Sequence, residues 1–339
     1  MQKLRNIALI ALLLAAGVAH AQAVSDPLQY TVSPETPGPN QLVLIEVQGV
    51  GTFLGNAAIT WSQDGTVVQS GVGERIYRFT TKGLGQTTRI RIAIRSDTNG
   101  SYNKDFTFTP SLVNLIWEAD TTVPPFYLGK ALYSAGSALK IAAFPVAFAG
   151  GSQISPSALS YQWSRNDEPV PWASGLGRTT FSFMGDQLQL QESVSVDVLY
   201  GSTKVARGEL VIPATEPVVL FYQRDALSGT RYNTALPGAI QLNASEITLQ
   251  AEPYYFSGAS KRAGQLSYTW TLNGDPASGP DSGRGLLTLR QAGAGQGSAT
   301  VEASIENKDN NAFIQTARAA LQIVFGRQNS SLLNSFFGI

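Results

Sequence analysis

Tyr161-Gln162-Trp163-Ser164-Arg165-Asn166-Asp167 decides the fold, because the pattern recurs on both sides of it. The counterparts are Ile59-Thr60-Trp61-Ser62-Gln63-Asp64-Gly65 and Tyr268-Thr269-Trp270-Thr271-Leu272-Asn273-Gly274. The three copies stand roughly 100 residues apart, and a repeat at a fixed period has to be read before any local structure. In each copy a short β-prone run ends at the Trp and meets a tight-turn pair. Asp-Gly, Asn-Asp and Asn-Gly tolerate positive φ at both centres of a two-residue hairpin. The Trp therefore sits on a strand that turns back at once.

Working outward, each hairpin is followed by Ser-Gly-x-Gly: Ser70-Gly71-Val72-Gly73, Ser174-Gly175-Leu176-Gly177 and Ser282-Gly283-Arg284-Gly285. A strand follows each copy, and one strand later the period-2 signal is cleanest. In Arg89-Ile90-Arg91-Ile92-Ala93-Ile94-Arg95 the isoleucines face one way and the arginines the other; Val194, Val196, Val198 and Val301, Ala303, Ile305 repeat the pattern. Such alternation marks strands with one buried and one wet face. Leu139 to Pro145 parallels Ile247 to Pro253, and Leu42 to Val47 fills that place in the first unit. About seven short strands in roughly 100 residues, with no long helical pattern, is the rhythm of a β-sandwich. The sequence thus predicts an all-β chain of three tandem sandwiches, 24–111, 112–214 and 215–325. The connectors after Pro110 and Pro213 are short and lack a Gly/Ser run, which predicts a semi-rigid rod.

A Trp on the third strand, a hairpin after it and a strongly alternating later strand resemble immunoglobulin-like domains. The Tyr-x-Trp element of Tyr161-Gln162-Trp163 and Tyr268-Thr269-Trp270 also resembles PKD-type repeats of bacterial proteins. Ile59-Thr60-Trp61 departs at its first position, and the sheet-bridging cysteines of antibody domains are absent. The resemblance implies Ig-like or PKD-like sandwiches from about residue 25 to about residue 325, of the sort found in secreted and surface bacterial proteins. It implies a fold and not a ligand.

Composition narrows the chemistry. The 339 residues carry 24 Lys+Arg and 24 Asp+Glu, and charged residues are only 14% of the chain. That balance argues against nucleic acid, whose affinity comes from clustered cations. There is no cysteine, which excludes a disulfide framework, a thiol nucleophile and a Cys-ligated metal. Lys3 and Arg5, the apolar run Ile7–Val18 and the overlapping Ala19-His20-Ala21 and Ala21-Gln22-Ala23 read as an export signal over 1–23. Its removal takes away the sole histidine, so neither a Ser/His/Asp nor a Cys/His arrangement remains, nor a conventional zinc site. Glu118 with Asp120, and Asp167 with Glu168, are near in sequence, which says little about a catalytic cleft. The expectation is a non-enzymatic protein without cofactor, exported to the periplasm, cell surface or medium. No later segment reaches the roughly 18 apolar residues of a membrane span.

Candidate residues each carry two readings. Trp61, Trp163 and Trp270 are read as the sandwich cores, with ligand platforms as the alternative. Gly71, Gly73, Gly175, Gly177, Gly283 and Gly285 are read as turn glycines, since a phosphate loop needs a following helix and usually a Lys. Asp97-Thr98-Asn99-Gly100 and Lys308-Asp309-Asn310-Asn311 are read as turns in preference to calcium loops. Trp172, after Pro169 and Pro171 and without counterpart, is either an exposed contact or a residue that caps the sandwich edge or packs at a domain junction. Pro124-Pro125-Phe126-Tyr127 and Pro253-Tyr254-Tyr255-Phe256 either bind a ligand or line junctions between units. The tail 326–339, with Leu332, Leu333, Phe336 and Phe337, either docks on a sheet or frays. The leading expectation is a protein partner, another envelope or surface protein in an appendage or export assembly, bound through sandwich edges, loops and tail; the alternative is a glycan held by exposed aromatics.

Overall fold

The structure is a computed structural model that describes residues 28–49, 54–97, 100–293, 295–310 and 312–326. The export signal over 1–23, Thr98, Asn99, Asn311 and the tail residues Leu332, Leu333, Phe336 and Phe337 lie outside the described residues. By contact density the chain divides into two units. The first is Met1–Pro34, Val43–Phe79 and Arg89–Phe106, and the second is Glu35–Leu42, Thr80–Thr88 and Thr107–Ile339.

The first sandwich holds β1 (Leu28–Ser33), β2 (Leu42–Gly49), β3 (Ala58–Gln63), β4 (Thr66–Val72), β5 (Ile76–Thr80), β6 (Thr88–Ser96) and β7 (Gly100–Phe108). They form a three-stranded sheet β1-β2-β5 and a four-stranded sheet β4-β3-β6-β7. The second holds β8 (Leu112–Ala119), β9 (Ala138–Ala149), β10 (Ser152–Ile154), β11 (Ser160–Arg165), β12 (Glu168–Pro169), β13 (Gly175–Leu176), β14 (Thr180–Met184), β15 (Gln191–Tyr200) and β16 (Thr203–Pro213). One of its sheets runs β10-β9-β14 with β8 also on β9, and the other runs β12-β11-β15-β16 with β13 on β11. The third holds β17 (Val218–Asp225), β18 (Gly229–Thr230), β19 (Ala239–Leu242), β20 (Glu246–Tyr254), the short helix α1 (Gly258–Arg262), β21 (Leu266–Leu272), β22 (Asp275–Ala277), β23 (Leu286–Arg290), β24 (Gly297–Asn307) and β25 (Thr316–Phe325). Its sheets are β18-β17-β20-β23 and β19-β25-β24-β21-β22. The pairing of β19 with β25 is parallel, Ala239 opposite Gln322 through Leu242 opposite Phe325. The chain is all-β, a tandem of immunoglobulin-like sandwiches.

The repeated residues do the same work three times. Trp61, Trp163 and Trp270 are buried, each opposite the alternating strand: Trp61 faces Ile92, Trp163 faces Val196 and Trp270 faces Ala303. Each indole N–H donates to a main-chain carbonyl at the Ser-Gly-x-Gly turn: Glu74 at 2.8 Å, Arg178 at 2.9 Å and Ser282 at 3.1 Å. A buried indole needs such an acceptor, so Trp and turn recur together. The last glycine of each turn, Gly73, Gly177 and Gly285, has φ of 80°, 68° and 83°, where L side chains are strained. At Gly285 a Cβ would also lie 2.8 Å from the Ala251 carbonyl oxygen. Gly71 lies within β4, Gly175 opens β13, and Gly283 lies in a 3₁₀ turn, Ser282–Arg284.

The hairpin after each Trp is stitched to the alternating strand by its first turn residue. Asp64, Asn166 and Asn273 have φ near 50° and accept on their side-chain oxygens the N–H groups of Arg89, Ser193 and Thr300, at 2.8 to 3.0 Å. Their own N–H groups donate back to the carbonyls of the same three residues. A short polar side chain that tolerates positive φ and can also accept a bond explains Asp or Asn at this place.

Within the second unit, the second and third sandwiches meet through a dense polar junction. Thr122 N–H donates to the Phe256 carbonyl at 2.8 Å, and Tyr255 N–H donates to the Thr122 carbonyl at 2.9 Å. Asp120 forms an exposed pair with Arg262 at 2.7 Å. At the centre lies Gln315, fully buried. Its Oε1 accepts from Ser257 N–H at 2.8 Å and from Asn307 Nδ2 at 2.9 Å. Its Nε2 reaches Ser134 Oγ, the Ala135 carbonyl and Ser137 Oγ, all within 2.9 Å. The Pro-punctuated connector is thus one part of a junction that a buried amide also spans.

Candidate functional site

Of the described apolar side chains exposed at the surface, Ile116, Leu128 and Phe144 gather around one groove along β8. In β8 and β9, Asn114, Ile116 and Glu118 pair with Phe144, Ala142 and Lys140. Paired residues in an antiparallel ladder share a face, and here that face is exposed, with Ile116 and Phe144 both more than half open to solvent. Along β8 runs a loop containing Phe126, Tyr127, Leu128, Gly129 and Lys130. Between them lies an open groove of about 530 Å³, lined by Ile116, Trp117, Leu128, Lys130, Lys140 and Phe144 among others.

The loop is held in place. Thr121 Oγ1 donates to the Leu132 carbonyl at 2.6 Å, and Tyr127 N–H closes a turn onto the Pro124 carbonyl at 3.1 Å. Tyr127 folds back over Gly129, where an added Cβ would lie 2.2 Å from its hydroxyl oxygen. Phe126 has φ of 64°, a conformation that costs a residue with a Cβ about 1–2 kcal/mol. At its tip Phe126 is 95% exposed and Leu128 is fully exposed. The Lys130 ammonium sits 3.5 Å from the centre of the Trp117 ring, and Lys140 lies 3.7 Å from Glu118.

The other sequence candidates fall elsewhere. Tyr254 is not a surface contact: it is 3% exposed, and its hydroxyl bonds that of Tyr222 at 3.0 Å. It is the last residue of β20, where it packs edge-on against Tyr222. Tyr255 is half-buried at the junction with Thr122. Trp172 is 65% exposed on a 3₁₀ turn, in a T-shaped contact with Phe181 at 5.4 Å between centroids. Among the described residues no group of three or more His, Cys, Asp or Glu is placed to hold a metal, and no helix is long and apolar enough to cross a membrane. Ile116, Trp117, Lys130 and Phe144 were not singled out from sequence. The available signal was Phe144, an apolar residue on the face that Lys140 marks as wet.

No protein-family model matches the chain, and no characterised protein matches it in sequence. Among solved structures it is similar to the three N-terminal domains of the bacteriophage RB49 highly immunogenic outer capsid protein. That match has 11% identity and a TM-score of 0.25, covering 89% of this chain and 99% of the other. It is also similar to the central fibronectin-III array of RIM-binding protein, at 10% identity and TM-score 0.27, covering 89% and 98%. A third is the Bacteroides ovatus mixed-linkage glucan utilization locus protein SGBP-B in complex with a heptasaccharide, at 12% identity and TM-score 0.21, covering 88% and 70%. At such identities these are likenesses of fold alone, and the sandwich assignment rests on the paired strands described above.

Proposed function

We propose that this chain is an exported, non-enzymatic interaction protein of the cell envelope or extracellular space, and that it holds a protein partner at the groove beside β8. The observation that carries the reading is the pair Phe126 and Leu128, fully presented to water on a loop that main-chain and hydroxyl bonds hold in place. Burying such side chains against a partner would return about 1.5–3 kcal/mol each, and a pre-shaped loop loses little entropy on binding. The basic, apolar and Ala-x-Ala order at the N-terminus supports export. In the Phe126→Asp/Leu128→Asp double variant, the partner recovered by crosslinking in intact cells drops at least about tenfold. Because both side chains are exposed, the melting temperature stays within the spread of a change of about 0.5 kcal/mol. Unchanged crosslinking would overturn the reading.

A glycan is the second reading, supported by the exposure of Trp172. An indole face offered to solvent stacks well on a sugar ring. On a glycan array that reading requires a signal lost in Trp172→Ala and retained in the double loop variant. A silent array removes it.

A further inference from the structure

Resting on the protein-binding reading above, we infer that the groove takes an extended, acidic segment of a partner protein as an added strand on the free edge of β8. The parity of the β8 ladder sets which groups are available. Asp120 N–H donates to the Ala138 carbonyl at 2.9 Å, in register with Ala119 opposite Leu139 and Glu118 opposite Lys140. In an antiparallel pair alternate residues exchange both of their main-chain bonds. Asn114, Ile116 and Glu118 therefore bond to β9, while Leu115, Trp117 and Ala119 turn N–H and C=O to the opposite edge.

That edge is filled at one end and open at the other. Near Val113 it abuts β16 at Gly208, where an added Cβ would lie 2.4 Å from Val113 Cγ1. From Ile116 onward the groove opens, with Leu128–Ala131 as its far wall. Among the described residues no main-chain hydrogen bond joins those four residues to β8. Both walls thus offer unpaired backbone, which is what an incoming strand uses.

One further observation names the occupant. The lining charge is positive: Lys130 has no carboxylate partner among the described residues, and the one acidic lining residue, Glu118, is held by Lys140. A carboxylate on the strand would meet Lys130, and its alternate apolar side chains would meet Ile116 and Leu128. Lys130 covers the Trp117 ring, the indole on which a sugar would stack in this groove.

The test titrates the full chain with the synthetic peptide Glu-Val-Thr-Val-Glu-Val-Thr-Glu. It is compared with a version N-methylated at alternate residues, a version with Lys in place of Glu, and a peptide of residues 329–339. Strand addition predicts binding by the acidic peptide and slowed amide exchange at Trp117 and Ala119. It also predicts at least about tenfold weaker binding after N-methylation, the effect of losing two main-chain bonds, and weaker binding of the Lys version. Equal binding of the N-methylated peptide, protection elsewhere, or no binding by the acidic peptide overturns the inference. Preferred binding of the 329–339 peptide overturns the assignment to a different protein and makes this sequence's own C-terminal segment the occupant. Loss of the crosslinked partner in the double loop variant, together with unchanged exchange at Trp117 and Ala119, would leave the protein-binding reading standing without the added strand.

Discussion

Gln315→Leu destabilises the second unit by about 3–5 kcal/mol and separates the melting of its two sandwiches. The substitution keeps the volume but removes both polar ends of a buried amide. Ser257 N–H and Asn307 Nδ2 lose their acceptor, and the Ala135 carbonyl loses a donor. Each buried group left without a partner costs about 1–3 kcal/mol. Ser134 and Ser137 suffer less, because their hydroxyls already bond each other at 2.8 Å. The control is Asp120→Ala, which breaks the exposed pair with Arg262 at the same junction and costs less than about 1 kcal/mol. Calorimetry distinguishes them: one broad endotherm in the parent and Asp120→Ala, two in Gln315→Leu. A single parent-like endotherm in Gln315→Leu would show that the amide does not couple the sandwiches.

The second large effect is at Glu192, a fully buried carboxylate at one end of the second sandwich. It takes Arg165 Nε at 2.8 Å and Nη2 at 2.6 Å, Asn166 Nδ2 at 3.1 Å and Asp186 N–H at 2.7 Å. The Arg165 guanidinium also lies 4.2 Å from the Phe183 ring centre. Glu192→Ala strands the guanidinium and the Asp186 N–H, and breaking a buried pair in this way costs about 3–5 kcal/mol. Burial alone would raise the carboxyl, but the bonds from Arg165, Asp186 and Asn166 outweigh it and hold the group below the usual carboxylate range. A folded-state value below the unfolded one favours the ionised form in the fold. Its stabilisation is present above the unfolded value, ordinarily about 4.3, and is lost as pH falls through the folded one. The melting temperature of the parent therefore falls more steeply below about pH 4 than that of Glu192→Gln. Parallel curves would remove Glu192 from the acid response. Burial and the same carboxylate push the neighbouring Tyr133 hydroxyl far up, so Tyr133 stays neutral at every pH of that experiment.

Much of the fold was legible because it is written in local rules. Positive φ at Asp64, Asn166 and Asn273, period two along β6, β15 and β24, and a Trp before each turn are all short-range signals. The acceptors of the three indoles were not legible, although both partners recur, because only the closed sandwich brings the Ser-Gly-x-Gly turn onto the ring. The two Pro-aromatic clusters show where sequence stops. Phe126 and Tyr254 sit in similar strings, yet one projects into water and the other is buried against Tyr222, because Tyr254 ends a paired strand and Phe126 lies in a loop. The groove depends on the β8–β9 register, which sets Ile116 and Phe144 on one face. Gln315 gave no signal, since Ser134, Ala135 and Ser137, the partners of its Nε2, lie in the second sandwich and far away in the chain.

The parallel contact between β19 and β25 bears on how the third sandwich carries load. A pull applied at Ala239 and Phe325 would act at opposite ends of that short ladder. The bonds between Ala239–Leu242 and Gln322–Phe325 are then sheared together and share the force. A hairpin such as β15–β16 has its ends side by side and would be peeled one bond at a time. That ladder would therefore yield to a pull between Ala239 and Phe325 only when its four residue pairs give way together.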